Sequence, residues 1–196
     1  MQAAAKFLWG SDDLSGKKVA LQGCGHVGYR LAKLLHQAGA KLVVTDINKE
    51  AVASVENEFG AKVVRGEEIY EVAADIFAPC ALGGILNNQT IPKLKVKMVV
   101  GAANNQLLES CHGEMLEKRD ILYAPDYVVN AGGVISGGVD LLGWEREYAA
   151  EKVEKLYDKL LEVFDFARSE EIPSYKAADR LVERYLAQVA EEKRIV

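Results

Sequence analysis

Apolar positions along the chain fall into two kinds of run. Short blocks rich in β-branched residues alternate with longer stretches in which apolar residues recur every three or four positions. The first kind reads as buried strand and the second as amphipathic helix. Lys18 to Gln22 is the first block, and it ends at a glycine. His26 to Gln37 follows with Val27, Leu31, Leu34 and Leu35 at helical spacing, and Gly39 stands where a helix-terminating glycine is expected. Lys41 to Thr45 is the second strand. Asp46 or Asn48 can cap the next helix, which runs to about Phe59 before Gly60. Further strands are expected at Ala61 to Val64, Asp75 to Ala78, Lys97 to Val100 and Ile121 to Tyr123. Strands alternating with helices imply a parallel sheet with helices on both faces.

Beyond Pro125 the pattern turns helical. An apolar stretch runs from Ala131 to Gly143. One amphipathic helix is expected from Tyr148 to about Ala167, with Val153, Leu156, Tyr157, Leu160, Val163 and Phe164 on one face. Ile172-Pro173-Ser174 breaks it, and a last helix carries Ala178, Leu181, Val182, Tyr185, Leu186 and Val189. Both stripes are expected to pack into the core. The expected division is an α/β domain over 1–145, led in by an N-terminal helix, and a helical extension over 146–196 packing on that same domain.

Composition narrows the function classes. The 24 basic and 29 acidic residues give a net charge of −5, which argues against a nucleic-acid or membrane-surface binder. No apolar run approaches the roughly 18 residues of a transmembrane helix, and Met1 to Gly10 lacks a signal-peptide pattern. Cys24, Cys80 and Cys111 are three in number and widely spaced, so free thiols and a cytoplasmic location are expected.

The sharpest motif is Gly23-Cys24-Gly25-His26-Val27-Gly28, a G-x-G-x-x-G that follows a strand and opens a helix. Gly23 permits the tight turn, Gly25 lets the backbone approach a pyrophosphate, and Gly28 allows close packing of helix on strand. The helix N-terminus then offers free N–H groups to the phosphates. Asp46 closes the second strand, where a carboxylate accepts the hydroxyls of an adenine ribose and repels a 2′-phosphate. That favours NAD, although Lys49 lies near enough to leave NADP open. Glycine, proline and asparagine also follow the fourth, fifth and sixth strands, at Pro79-Cys80-Ala81, Gly101 to Asn104 and Pro125-Asp126. In a parallel sheet these ends share one edge, and ligands bind in the crevice outside it. The expected fold is a Rossmann-type doubly wound parallel sheet with a helical C-terminal extension.

Gly23 to Gly28, Thr45 to Asn48, Asp75 to Gly83, Gly101 to Leu107 and Tyr123 to Val134 together resemble the leucine/phenylalanine/valine branch of the Glu/Leu/Phe/Val dehydrogenases. The resemblance runs in order over nearly the whole chain. It implies reversible NAD-dependent oxidative deamination of an L-amino acid to a 2-oxo acid and ammonia. It also implies that this chain is the cofactor half, with the catalytic lysines and most substrate contacts in an N-terminal domain; no segment here resembles that catalytic block. Carried onto matching positions, it places the pyrophosphate on Gly23 to Gly28, adenosine on Asp46 and Ile47, and a groove lined by Ala81, Leu82, Ala102 and Asn104. It sets Asn130 near the nicotinamide; composition alone reads Asn130 as a turn or helix-start residue.

One departure stands out. Ser136-Gly137-Gly138-Val139 replaces the Asn-Val-Ala-Asp usual in leucine-type sequences, and the lost side chains are expected to widen the side-chain pocket or loosen the helix. Leu142-Gly143-Trp144 looks more like the phenylalanine type. Cys24/His26 and Cys111/His112 lack metal-ligand spacing. Cys80 has no base beside it in sequence and reads as a buried apolar residue; His36 reads as surface. The expected partners are NAD(H) and, only with a substrate domain, an amino acid. Losing that domain is expected to expose an apolar wall around Ala131 to Trp144 and leave a monomer or weak homodimer. The rival expectation is a stand-alone NAD(H)-binding module without catalysis, or a cofactor half that recruits a separately encoded substrate domain.

Overall fold

The computed structural model describes residues 1–194. Six strands alternate with helices: β1 Lys18–Gln22, β2 Lys41–Thr45, β3 Lys62–Val63, β4 Ile76–Pro79, β5 Met98–Val99 and β6 Leu122–Tyr123. All pair in parallel, in the order β3-β2-β1-β4-β5-β6. β1 is central, with Val19 opposite Leu42 of β2 on one side and Ile76 of β4 on the other. The order reverses between β1 and β4, and that switch opens the crevice at the C-terminal edge.

Strand alternation sorts the core into two clusters. Val19, Leu21, Val44, Ile76 and Met98 face one way, against helices α1 (Gln2–Trp9), α2 (His26–Gln37), α3 (Lys49–Phe59) and α8 (Leu156–Ser169). Ala20, Val43, Phe77 and Val99 face the other way, against two 3₁₀ turns at Gly66–Glu71 and Ile91–Lys93 and helix α4 (Cys111–Glu117). Full burial of a side chain such as Phe77 stabilises the fold by roughly 1.5–3 kcal/mol. The turn chemistry agrees with the elements it ends. Asn48 caps α3, its Oδ1 accepting from the N–H groups of Glu50 (2.9 Å) and Ala51 (3.2 Å). Gly39 and Gly60 hold left-handed backbone after α2 and α3.

The remaining helices are α5 (Asp126–Val129), α6 (Gly132–Leu142), α7 (Arg146–Glu154) and α9 (Ser174–Arg194). Here the structure departs from the pattern. The single helix expected from Tyr148 to Ala167 is two, because its halves serve different neighbours. Ala149 of α7 is buried beside α6, whereas Phe164 of α8 packs on Phe7 of α1 with ring centroids 5.1 Å apart. Lys155 divides them, its ψ of −13° well short of the helical value near −42°. Val153, expected in the core, is exposed.

The stripe on α9 is also only half core. Ala177 and Ala178 pack against Val163 and Ala167, Ser174 Oγ donates to the carbonyl of Tyr123, and Tyr127 Oη donates to Asp179 (2.6 Å). Beyond Leu181 the helix outruns the body: Val182, Tyr185 and Leu186 are 52%, 64% and 60% exposed. Among the described residues, no helix is long and apolar enough to cross a membrane.

Candidate functional site

The crevice is built first by the β1–α2 turn. Gly23 has φ of +101°, and a Cβ on it would lie 2.8 Å from backbone atoms of Cys80 and Ala81. Glycine is required there twice over, by conformation and by the close approach of the β4 loop. A Cβ on Gly28 would fall 1.9 Å from the Gly23 carbonyl oxygen, so this glycine seats α2 on the turn itself. Gly25 differs from both. It caps α2 with φ of −65°, which any residue tolerates, and no protein atom lies within 4 Å of its would-be Cβ. Nothing in the fold demands glycine at 25, which faces open space. No described side chain caps α2, so its first-turn N–H groups face that space.

Asp46 adjoins the turn. Its Oδ2 accepts the N–H of Cys24 (2.5 Å) and its Oδ1 the N–H of Asn48 (2.8 Å). The helix cap is therefore Asn48, and Asp46 ties the end of β2 to the glycine turn. Each carboxylate oxygen keeps a second lone pair for a hydroxyl donor. His26, Val27 and Ile47 are exposed beside it, Ile47 completely (101%).

The other wall comes from the loops after β4, β5 and β6. Gly101 is pressed on Pro79, where a Cβ would meet the carbonyl oxygen at 2.2 Å, and Gly83 is pressed on the carbonyl of Asn104 at 2.5 Å. These two contacts lock the β4 and β5 loops together, with Ala81 and Leu82 exposed on one, and Ala102 half-buried and Asn104 exposed on the other. Asn130 joins them, since its Nδ2 donates to Asn104 Oδ1 (2.5 Å). All thirteen residues singled out from the sequence thus lie along this one strand edge. Gln106 was missed. It is a buried polar residue within the same loop, and burial leaves no mark in an Asn-Asn-Gln run.

Cys24 and Cys80 are held as neutral thiols, and Cys111 is exposed. Burial and the nearby Asp46 carboxylate push the Cys24 thiol up to about 12, and burial pushes Cys80 up to about 11. Cys80 is half-buried rather than fully buried. His36 is exposed and rests against Phe59. Among the described residues, no three His, Cys, Asp or Glu side chains converge as metal ligands. Two cavities lie away from the glycine turn. One of about 440 Å³ sits by the β6 edge between Phe7, Ile121 and Ile172, and one of about 450 Å³ lies between α6 and α7 beside Ser136, Asp140 and Arg146.

The departure at Ser136 to Val139 has a structural answer. α6 is continuous through it. A Cβ on Gly138 would strike the Trp144 ring at 2.4 Å, so Trp144 occupies the space and stacks edge-on against Tyr148 at 5.3 Å. The helix is neither loosened nor, at 138, left with a void. Gly137 faces open space, and Val134, Leu141 and Leu142 are exposed as the expected apolar wall.

The sequence model of the Glutamate/Leucine/Phenylalanine/Valine dehydrogenase family matches residues 44–193. The chain belongs to this family. Its parallel sheet is of the Rossmann type. Leucine dehydrogenase of Thermoactinomyces intermedius is 59% identical over 183 residues, which is 93% of this chain and 50% of that protein. Phenylalanine dehydrogenase of Lysinibacillus sphaericus is 49% identical over 185 residues, 92% of this chain and 49% of that protein. The crystal structure of L-tryptophan dehydrogenase from Nostoc punctiforme superposes with a TM-score of 0.94 at 44% identity, covering 97% of this chain and 57% of that one. The chain spans about half the length of the curated relatives it matches.

Proposed function

We propose that this chain is the NAD(H)-binding half of an amino-acid dehydrogenase that converts a leucine- or phenylalanine-like L-amino acid to its 2-oxo acid and ammonia. The observation that carries the reading is Gly25: a glycine with ordinary backbone and empty space before it, at an uncapped helix N-terminus, beside a carboxylate with free lone pairs. That cradle suits a pyrophosphate over the turn and an adenine ribose on Asp46. Since β2 lies on one side of the switch and β4, β5 and β6 on the other, the nicotinamide half runs toward Ala81, Leu82, Ala102, Asn104 and Asn130. Asn130 spends one amide hydrogen on Asn104 and keeps its Oδ1 free to accept from a carboxamide.

When bound, NAD supplies the hydride acceptor. This chain's residues bind it, orient it and favour its unphosphorylated ribose. Proton transfer and the α-carboxylate of the substrate fall to a substrate domain carrying the catalytic lysines, so the chain alone binds NADH without turnover. In isolation it is a monomer or a weak homodimer, through the exposed apolar wall of α6. Titration of the purified chain with NADH and then NADPH, read by calorimetry, tests the proposal. Saturable binding that prefers NADH supports it; no binding of either would sink it.

A further inference from the structure

Gln106 is the crossbar of the β5 loop. It is fully buried, and its Nε2 donates to the carbonyl oxygens of Gly101 (2.8 Å) and Ala103 (2.9 Å), which flank Ala102. Chemistry fixes the orientation of this amide, because the reverse would set Oε1 against two carbonyl oxygens. Oε1 has no partner among the described residues. The side chain thus acts through its two hydrogens and what they hold. They hold a loop under constraint: Gly101 is jammed on Pro79, Asn105 has φ of +50°, and the Asn105 and Gln106 carbonyls accept the N–H groups of Gly84 and Leu86 at 2.7 and 2.9 Å. The outward face of that loop carries Ala102 and Asn104, and Asn104 in turn holds Asn130.

We infer that Gln106 is a positioning residue for the nicotinamide half of the dinucleotide. It touches no part of the crevice itself. It sets the backbone from Gly101 to Asn104, and through the Asn104–Asn130 hydrogen bond it sets the amide that meets the carboxamide. The adenosine half, held at β1 and β2, does not depend on it. This inference rests on the cofactor reading above.

The test substitutes Gln106→Glu and compares NADH with ADP-ribose, which lacks the nicotinamide, by calorimetry at about pH 6 and about pH 8.5. A buried glutamate facing two carbonyl oxygens ionises only at raised pH. At the higher pH its carboxylate repels both carbonyls, and NADH is expected to bind about tenfold more weakly while ADP-ribose binds as to the parent chain. At the lower pH the protonated acid donates to one carbonyl, and part of the NADH affinity returns. A merely structural role would weaken both ligands together or neither, and either result overturns the inference. Should Gln106→Glu not fold, Gln106→Asn carries the same comparison, since it keeps the amide but shortens the arm by one methylene. Failure of the parent chain to bind NADH and ADP-ribose alike would overturn the cofactor reading and this inference with it.

Discussion

Gly25 separates what the fold needs from what a ligand needs, and Gly25→Ala exploits that. At φ −65° and ψ −168°, with no protein atom within 4 Å, an alanine meets nothing. Alanine is a poorer N-cap than glycine by about 0.5–1 kcal/mol, and the smaller freedom of its unfolded chain offsets about 0.4–1 kcal/mol. Stability is therefore expected to stay within about 0.5 kcal/mol of the parent, a shift of at most about 1–2 °C in Tm. Binding is a different matter. A pyrophosphate on the α2 N–H groups comes within about 3 Å of the backbone, and a methyl at 25 stands in its way. Losing one charge-assisted hydrogen bond costs about 1.5–3 kcal/mol, or roughly 10- to 100-fold in Kd. Gly28→Ala is the contrasting control. Its Cβ would lie 1.9 Å from the Gly23 carbonyl oxygen, so the helix must move and the cost is about 1–3 kcal/mol or more in stability. Thermal melts and NADH calorimetry on both variants decide the matter. A folded Gly25→Ala chain that binds NADH as tightly as the parent would refute the placement of the pyrophosphate.

Four further outcomes are expected. Asp46→Ala removes the acceptor of the Cys24 N–H and costs about 1–3 kcal/mol; it also erases the preference for NADH over NADPH, and a preference retained in paired titrations would acquit Asp46. The thiols of Cys24 and Cys80 are raised in the fold, so the unfolded chain loses these protons first and Tm falls as pH rises from 9.0 through about 11 and about 12; that alkaline fall should shrink in a Cys24→Ala, Cys80→Ala double variant. Tyr185→Ala and Leu186→Ala, on the exposed half of α9, should each change stability by under about 0.5 kcal/mol, whereas Phe164→Ala should cost about 3–5 kcal/mol, as denaturant melts will show. Gly138→Ala should displace Trp144, lower Tm and shift indole fluorescence; unchanged emission would contradict the close contact.

Much of the fold is legible in the sequence. The β-branched blocks and the glycine turn set the sheet and, with the Asp46 position, its candidate site edge, because strand burial and tight turns are local demands that residue types answer directly. β3 and β6 came out shorter than their apolar runs, Lys62–Val63 and Leu122–Tyr123, since pairing stops where a neighbour stops. The 3₁₀ turns at Gly66 and Ile91 and the short α4 have too few residues to show a period. The division of α7 from α8 and the exposure of α9 were not legible either. A stripe states that a face is apolar, and only the three-dimensional arrangement states what covers it. Gly138 has a related reason: a glycine in a helix looks like a loss until the aromatic ring six residues on is seen to fill its place.

The same exposure explains why cofactor binding and turnover part company in the proposed function. Hydride transfer requires the nicotinamide to be held against the substrate in a site that excludes water. Along this strand edge the apolar residues are uncovered: Ile47 completely, Leu82 by 77% and Val134 by 81%. The glycine turn, Asp46 and the Asn104–Asn130 pair are nevertheless fixed by contacts internal to the chain. The cradle proposed for the dinucleotide is thus held by the chain itself, while its apolar residues stand open to solvent. In the proposed reading, the facing wall and the catalytic lysines come from a substrate domain, and this wall needs no reshaping. A substrate domain added in trans should therefore raise turnover far more than it tightens NADH binding.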